Sequence, residues 1–438
     1  MKLKNEKYCG LSFSCNIFAI VIYFLNLNLL FDMKFWYKFL FVFVFVLAFT
    51  GCGKDDGVED EENVETTDGV PYHSLDMKTD DGKVTQLLKH KVGKGVPVVI
   101  MGDGFLDKDI KEGKYRHATN KALEALFAIH PMKSLRDYFD VYEVTAVSYN
   151  DFKTFWTNPK DSTFNTAFSV QVGKENSAGG FDSILMPGDV GKAEEYAKKA
   201  IGGERIDDAT IVVIVNDFPT NGVSFWGLSS NEYKEVPTGC GKAYVNLMES
   251  WAEFMELSDF SKVFTNILLH EFGHAFAGLA DEYVKEDLKW ENPESGKESL
   301  MLLQNSGYYR NVSLNSDVTK TPWADFAADG RYDFEKLGCY EGGNYQAKGV
   351  YRPTDHSIMN ANSEGIVFCF NVASRVMIYK RCMKIAYGDS WTFNYEDFVK
   401  FDLEKAKAEH EELRKLDPEY SKPMSLGAPP VIVNKIAK

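Results

Sequence analysis

His270 and His274 stand four residues apart in the run Leu268-Leu269-His270-Glu271-Phe272-Gly273-His274. On a helix, residues i and i+4 share a face, so both imidazoles can reach one Zn²⁺. Glu271 lies one step round, beside such an ion rather than on it. There its carboxylate can take a proton from an activated water and pass it to a leaving amine. The preceding Val263-Phe264-Thr265-Asn266-Ile267 is apolar at helical spacing, and a Gly break follows at Gly278. The chain has only 8 histidines, and two of them fall at this HExxH spacing. That favours a zinc peptidase site over two incidental surface histidines.

A catalytic zinc needs a third protein ligand and keeps the fourth position for water. In metzincin-type peptidases a glycine seven residues after the first histidine turns the chain, and the third ligand comes three residues later. Here Gly278 is eight residues after His270, and Asp281 is three after Gly278. Asp281 is therefore the first choice, with Glu282 and His356 as alternatives. Ser357-Ile358-Met359 resembles the Met-turn, whose methionine forms an apolar floor under the zinc ligands. Tyr283 reads as an aromatic packed behind the helix end, and Asp103, in Gly102-Asp103-Gly104, as a turn residue.

The run from His270 to Tyr283, ending in Leu279-Ala280-Asp281-Glu282-Tyr283, resembles the bacterial IgA-peptidase family of zinc metallopeptidases. Gly102-Asp103-Gly104-Phe105, Tyr351-Arg352-Pro353, Ser357-Ile358-Met359 and Phe370-Asn371 are similar to that family too, so the resemblance extends from Pro97 to Tyr387. It implies a metzincin-like catalytic domain, one Zn²⁺ per chain and endopeptidase activity. Immunoglobulin A or other host or dietary proteins would be the substrates. Larger members carry a separate N-terminal β-domain; here only residues 63–96 separate an acidic segment from Pro97.

The elements that must position these residues are legible in outline. Pro97 to Met101 and Ala209 to Val215 are continuous apolar runs that read as buried strands, and Val141 to Val147 as a third. Ala243 to Met248 reads as an edge strand. Helical spacing runs over Lys114–Tyr138, broken at Pro131, and over Asp189–Ile201, Ser261–Leu279 and Phe398–Leu416. Residues 149–185 read as irregular and 285–350 as loop-rich. Strands alternating with helices predict an α/β (α+β) fold with a mixed twisted sheet, a long active-site helix and a loop-rich C-terminal part.

Before Pro97 the sequence reads as export signal and tether. Met33 opens a short basic stretch, then Phe39 to Thr50 carries no charge, and Gly51-Cys52 follows. This is a signal peptide whose end resembles a lipobox, with Cys52 as the lipidated first residue. Residues 1–32 read as an upstream start-site extension, the alternative being a membrane-spanning stretch around Ile17–Phe31. The acidic residues between Asp55 and Glu62 form a self-repelling tether. The expected organisation is 1–51 signal segment, 52–70 tether, 71–96 lead-in, 97–390 catalytic domain and 391–438 C-terminal helix and tail. The expected location is the outer membrane, exposed at the cell surface. Cys240, Cys339, Cys369 and Cys382 could oxidise there, with three possible connectivities.

With 49 Lys and Arg against 64 Asp and Glu, the net charge of −15 makes the chain a poor candidate for nucleic-acid binding by phosphate neutralisation. Two classes remain: a zinc endopeptidase acting on protein or peptide substrates, and a non-catalytic surface lipoprotein that binds protein or glycan. The intact His270, Glu271 and His274 favour the first.

Overall fold

The computed structural model describes residues 73–157, 165–177, 180–217, 219, 222–228, 236–248, 260–360, 369–413, 415 and 431–434. The expected signal segment, the Cys52 lipid site and the acidic tether lie outside these residues. No helix of the described residues is long and apolar enough to cross a membrane.

The unit from Asp68 onward begins with strands β1 (Val84–Leu88) and β2 (Val96–Asp103), helix α1 (Lys114–Leu126) and β3 (Phe139–Val144). The hairpin β4 (Gln171–Glu175) and β5 (Phe181–Met186) leads to α2 (Val190–Ile201), β6 (Thr210–Val215), β7 (Gly222–Leu228) and β8 (Gly241–Asn246). Next come α3 (Phe260–Ala277), α4 (Pro293–Asn305) and the hairpin β9 (Tyr340–Gly343) and β10 (Gln346–Arg352). Helices α5 (Val372–Tyr387) and α6 (Tyr395–Leu413) and strand β11 (Val431–Asn434) follow.

Seven strands form one mixed sheet in the order β1-β3-β2-β6-β8-β7-β11. Strands β3, β2, β6 and β8 are mutually parallel, while β1 and β7 run antiparallel to their neighbours β3 and β8. The continuous apolar runs have their cause here. Every residue of β2 and β6 is buried because both faces of the sheet are covered. Val98, Ile100, Val212 and Ile214 pack into the core that also holds Leu126, Leu268 and Ile378, from α1, α3 and α5. Their alternates Val99, Met101, Ile211 and Val213 pack with Phe152, Phe168 and Ala197 on the other face.

Three expectations need correction. Strand β8 is interior, flanked by β6 and β7, and all six of its residues are buried. Residues 149–185 are not wholly irregular: they form a helical turn over Phe152–Thr157 and the β4–β5 hairpin. The loop-rich stretch 285–350 contains α4 and most of the β9–β10 hairpin. Cys240, Cys339, Cys369 and Cys382 form no disulfide with one another, and Cys240, Cys369 and Cys382 are buried. Helix α1 ends before the cis His130-Pro131 bond, in keeping with the break expected at Pro131.

Asp103 is a buried hub at the end of β2. It accepts hydrogen bonds from the backbone N–H of Phe168 and Val170 and from Thr166 Oγ1, at 3.1, 3.0 and 2.9 Å. It therefore shapes the 166–170 loop, beyond the turn role expected of it. Helix α6 docks through Phe398 and Val399 onto Trp323, Tyr332 and Val372.

Candidate metal centre

Helix α3 lies across the sheet with His270, Glu271 and His274 all buried. Apolar Phe264, Ile267, Leu268 and Phe272 fix its roll against the core, which sets the direction of both imidazoles. The helix stops after Ala277 because Gly278 takes φ +62°, and its N–H donates to the His274 carbonyl at 2.9 Å. A Cβ at Gly278 would sit 2.5 Å from the Tyr308 ring, so the position excludes a side chain on two counts. The chain then doubles back under the helix. Asn311 holds the return by pairing with both backbone groups of Ala280, at 2.8 Å each.

Both imidazoles are oriented by carbonyls, which can only accept. His270 Nδ1–H donates to Ile358 O at 2.9 Å, and His274 Nδ1–H to Leu279 O at 2.6 Å. A neutral imidazole so engaged carries its lone pair on Nε2. The two Nε2 atoms lie 3.0 Å apart, and Asp281 Oδ1 lies 3.0 and 3.2 Å from them. No hydrogen-bond donor among the described residues satisfies that oxygen. Three lone-pair donors thus converge, with ligand atoms spaced much as tetrahedral bonds of about 2.0–2.1 Å to one ion would require. The residues fit a zinc ion: two neutral imidazoles and one carboxylate would leave it a net charge near +1.

Asp281 and Glu282, adjacent in sequence, point to different partners. Glu282 is fully buried, and its carboxylate accepts from Ser357 Oγ at 2.5 Å, Asn311 Nδ2 at 2.9 Å and Asn371 Nδ2 at 2.9 Å. It joins three loops and does not enter the histidine cluster. His356 is exposed and lies beside Asp355 at 3.5 Å, also outside the cluster. Met359 is buried beneath the helix, its sulfur 3.3 Å from where a Gly273 Cβ would be. Its carbonyl accepts the Glu282 N–H at 2.7 Å. Residues 357–359 therefore hold His270 through Ile358 and Glu282 through Ser357 and Met359. Tyr283 is buried and stacked on His270, with ring centroids 6.4 Å apart.

Glu271 faces β7. Ser224 Oγ is within hydrogen-bonding reach of its carboxylate and lies 2.8 Å from its backbone carbonyl. Its Oε1 has no partner among the described residues and sits where a Cβ on Gly222 would collide at 2.7 Å. Burial pushes the carboxyl up to about 8, against the lowering effect of the Ser224 hydrogen bond. Ser224, Gly222 and Tyr345, whose hydroxyl donates to Asp281 Oδ2, escaped the sequence reading. Nothing local marks them, since each meets the helix or Asp281 only through the tertiary fold.

A buried HExxH helix under a mixed sheet, with a carboxylate folded back onto its histidines, belongs to the metallopeptidases. Residues 88–332 match the family described as IgA Peptidase M64, over more than half of the chain, and the protein belongs to that family. The matched stretch includes His270, Glu271, His274 and Asp281 and stops before the 357–359 loop. No curated protein matches the chain.

Proposed function

We propose that the protein is an exported, lipid-anchored zinc endopeptidase that hydrolyses extracellular proteins, with His270, His274 and Asp281 as metal ligands. The observation that carries this reading is the convergence of two Nε2 atoms and one undonated carboxylate oxygen within 3.0–3.2 Å of one another. Zinc, when bound, supplies Lewis-acid polarisation of the scissile carbonyl and acidifies the attacking water. Glu271 serves as general base toward that water and then as general acid toward the leaving amine. Ser224 steadies its carboxylate, and Gly222 leaves room beside it.

The lipid anchor rests on the Met33 start, the uncharged Phe39–Thr50 stretch and Gly51-Cys52. Outer-membrane display at the cell surface rests on the acidic residues that follow. Immunoglobulin A is the first substrate to try, because of the family, with host and dietary proteins beside it.

The test uses protein purified in the presence of zinc. Elemental analysis should find one zinc per chain, and a peptide library should show internal cleavage that a chelator stops. A zinc-loaded protein that cleaves nothing in the library and no immunoglobulin would favour a binding lipoprotein instead. For the anchor, mass spectrometry should find lipid on Cys52, and Cys52→Ser should move the protein out of the membrane fraction. An unmodified Cys52 would remove that part of the proposal and leave the chemistry standing.

A further inference from the structure

Tyr345 lies 64 residues beyond Asp281 in sequence, at the tip of the β9–β10 hairpin. Gly343 and Gln346 pair across that hairpin, so Asn344 and Tyr345 are its two turn residues. Both have positive φ, 44° and 66°, as the tight primed turns require. A bulky residue is rarely found there, where glycine is usual. The tip is held in place by the chain that follows the metal helix. Asn344 N–H donates to Asp281 O at 2.7 Å, Tyr345 N–H to Tyr283 O at 3.0 Å, and Lys285 N–H to Tyr345 O at 3.1 Å. The hairpin is thus pinned along residues 281–285, with Val284 and Tyr345 forming a bridge.

This docking brings the Tyr345 phenol to the outer oxygen of Asp281. The hydroxyl donates to Oδ2, and its ring meets Tyr283 edge-on at 5.3 Å. Oδ1, with no donor among the described residues, is left facing the two Nε2 atoms. We infer that Tyr345 is a positioning residue: it occupies Oδ2 so that Asp281 presents Oδ1 alone, as a single-oxygen ligand. The inference rests on the reading of Asp281 as a metal ligand. Without the phenol, Oδ2 is a buried acceptor with no donor among the described residues, and the carboxylate is free to turn and offer both oxygens. An open coordination position for water would then be contested by the protein's own ligand.

The experiment compares wild type, Tyr345→Phe and, as a control on the same hairpin, Tyr340→Phe. Tyr340 donates its hydroxyl to Lys336 O, away from the site. Zn²⁺ affinity is measured by chelator competition, and Co²⁺-substituted protein by its visible absorption, which reports coordination number. Tyr345→Phe should bind zinc about 10–100-fold more weakly. Its cobalt spectrum should shift toward the weaker bands of higher coordination, while Tyr340→Phe matches wild type in both. A Tyr345→Phe protein with wild-type affinity and an unchanged spectrum would overturn the inference. So would a Tyr345→Phe chain that fails to fold, because the hydroxyl would then be structural. If wild type itself binds neither metal, the metal reading fails as a whole, an outcome distinct from the failure of Tyr345 alone.

Discussion

Replacing Glu271 by Gln keeps the side-chain volume against Gly222 and removes the proton acceptor. If Glu271 moves the proton, Glu271→Gln should keep its zinc and lose about 10²–10⁴-fold in kcat. A variant cleaving at the wild-type rate would require another base, and one without zinc would make Glu271 structural. The neighbouring carboxylates give a sharper contrast, because they separate binding from folding. Asp281→Ala should reduce zinc affinity by well over the ~100-fold upper range of an outer-sphere loss. Glu282→Ala should instead leave the donors of Asn311, Ser357 and Asn371 without their shared acceptor. Each buried group left unpaired costs about 1–3 kcal/mol, so the thermal midpoint should fall by many degrees. The folded fraction should still bind one zinc. Glu282→Ala protein that keeps its midpoint and loses metal would reverse the two assignments.

At the scale of elements, the turn that ends α3 decides whether Asp281 faces the histidines. Gly278→Ala would put a Cβ into the Tyr308 ring at a left-handed φ. The expected outcome is a loss of about 2 kcal/mol or more in denaturant unfolding, with weakened zinc binding because Asp281 shifts. Wild-type values for both would mean that the turn tolerates a side chain. This helix and its glycine were legible in sequence because their signals are local: apolar residues at helical spacing, an i, i+4 histidine pair and a breaker. Strands β2 and β6 were legible for a similar reason, since burial on both faces gives an unbroken apolar run. Strand β7 was not. Gly222 and Ser224 lie where Glu271 needs room and a hydroxyl, and they dilute the strand's apolar pattern. Helix α5 was hidden by Arg375 and Arg381, both fully buried, so its polar positions do not mark its exposed face. Tyr345 was invisible because its role depends on a hairpin folding back across 64 residues. The one-residue slip at Gly278 left Asp281 and Glu282 open in sequence, and only the backbone path distinguishes their surroundings.

Across the whole molecule, a buried charge cluster connects the C-terminal helix to the metal loops. Arg375 on α5 bonds Asp402 on α6 at 2.7 and 2.8 Å, Glu335 at 2.5 Å and the Phe370 carbonyl at 2.5 Å. The residue after Phe370 is Asn371, which holds Glu282 beside Asp281. Docking of α6 is thereby linked through one guanidinium to the loop next to the candidate metal centre. Burial would raise the Asp402 pKa, but Arg375 overcomes it and holds the carboxyl below its usual range. Because that folded-state pKa is depressed, its stabilising contribution is present above about pH 4 and is lost as the pH falls through the folded value. Arg375→Met keeps much of the bulk and leaves Asp402 and Glu335 buried without their cation. At pH 7 this should cost about 3–5 kcal/mol. In the variant the carboxyls take up protons at higher pH than in wild type, as does His130, 2.8 Å from Asp402. Proton uptake relieves the buried charge, so acidification should favour the variant relative to wild type. Thermal midpoints measured between pH 4 and 8 should therefore differ most near neutrality and converge toward pH 4. A gap that stays constant or widens on acidification would show that Arg375 acts through packing and not through its charge.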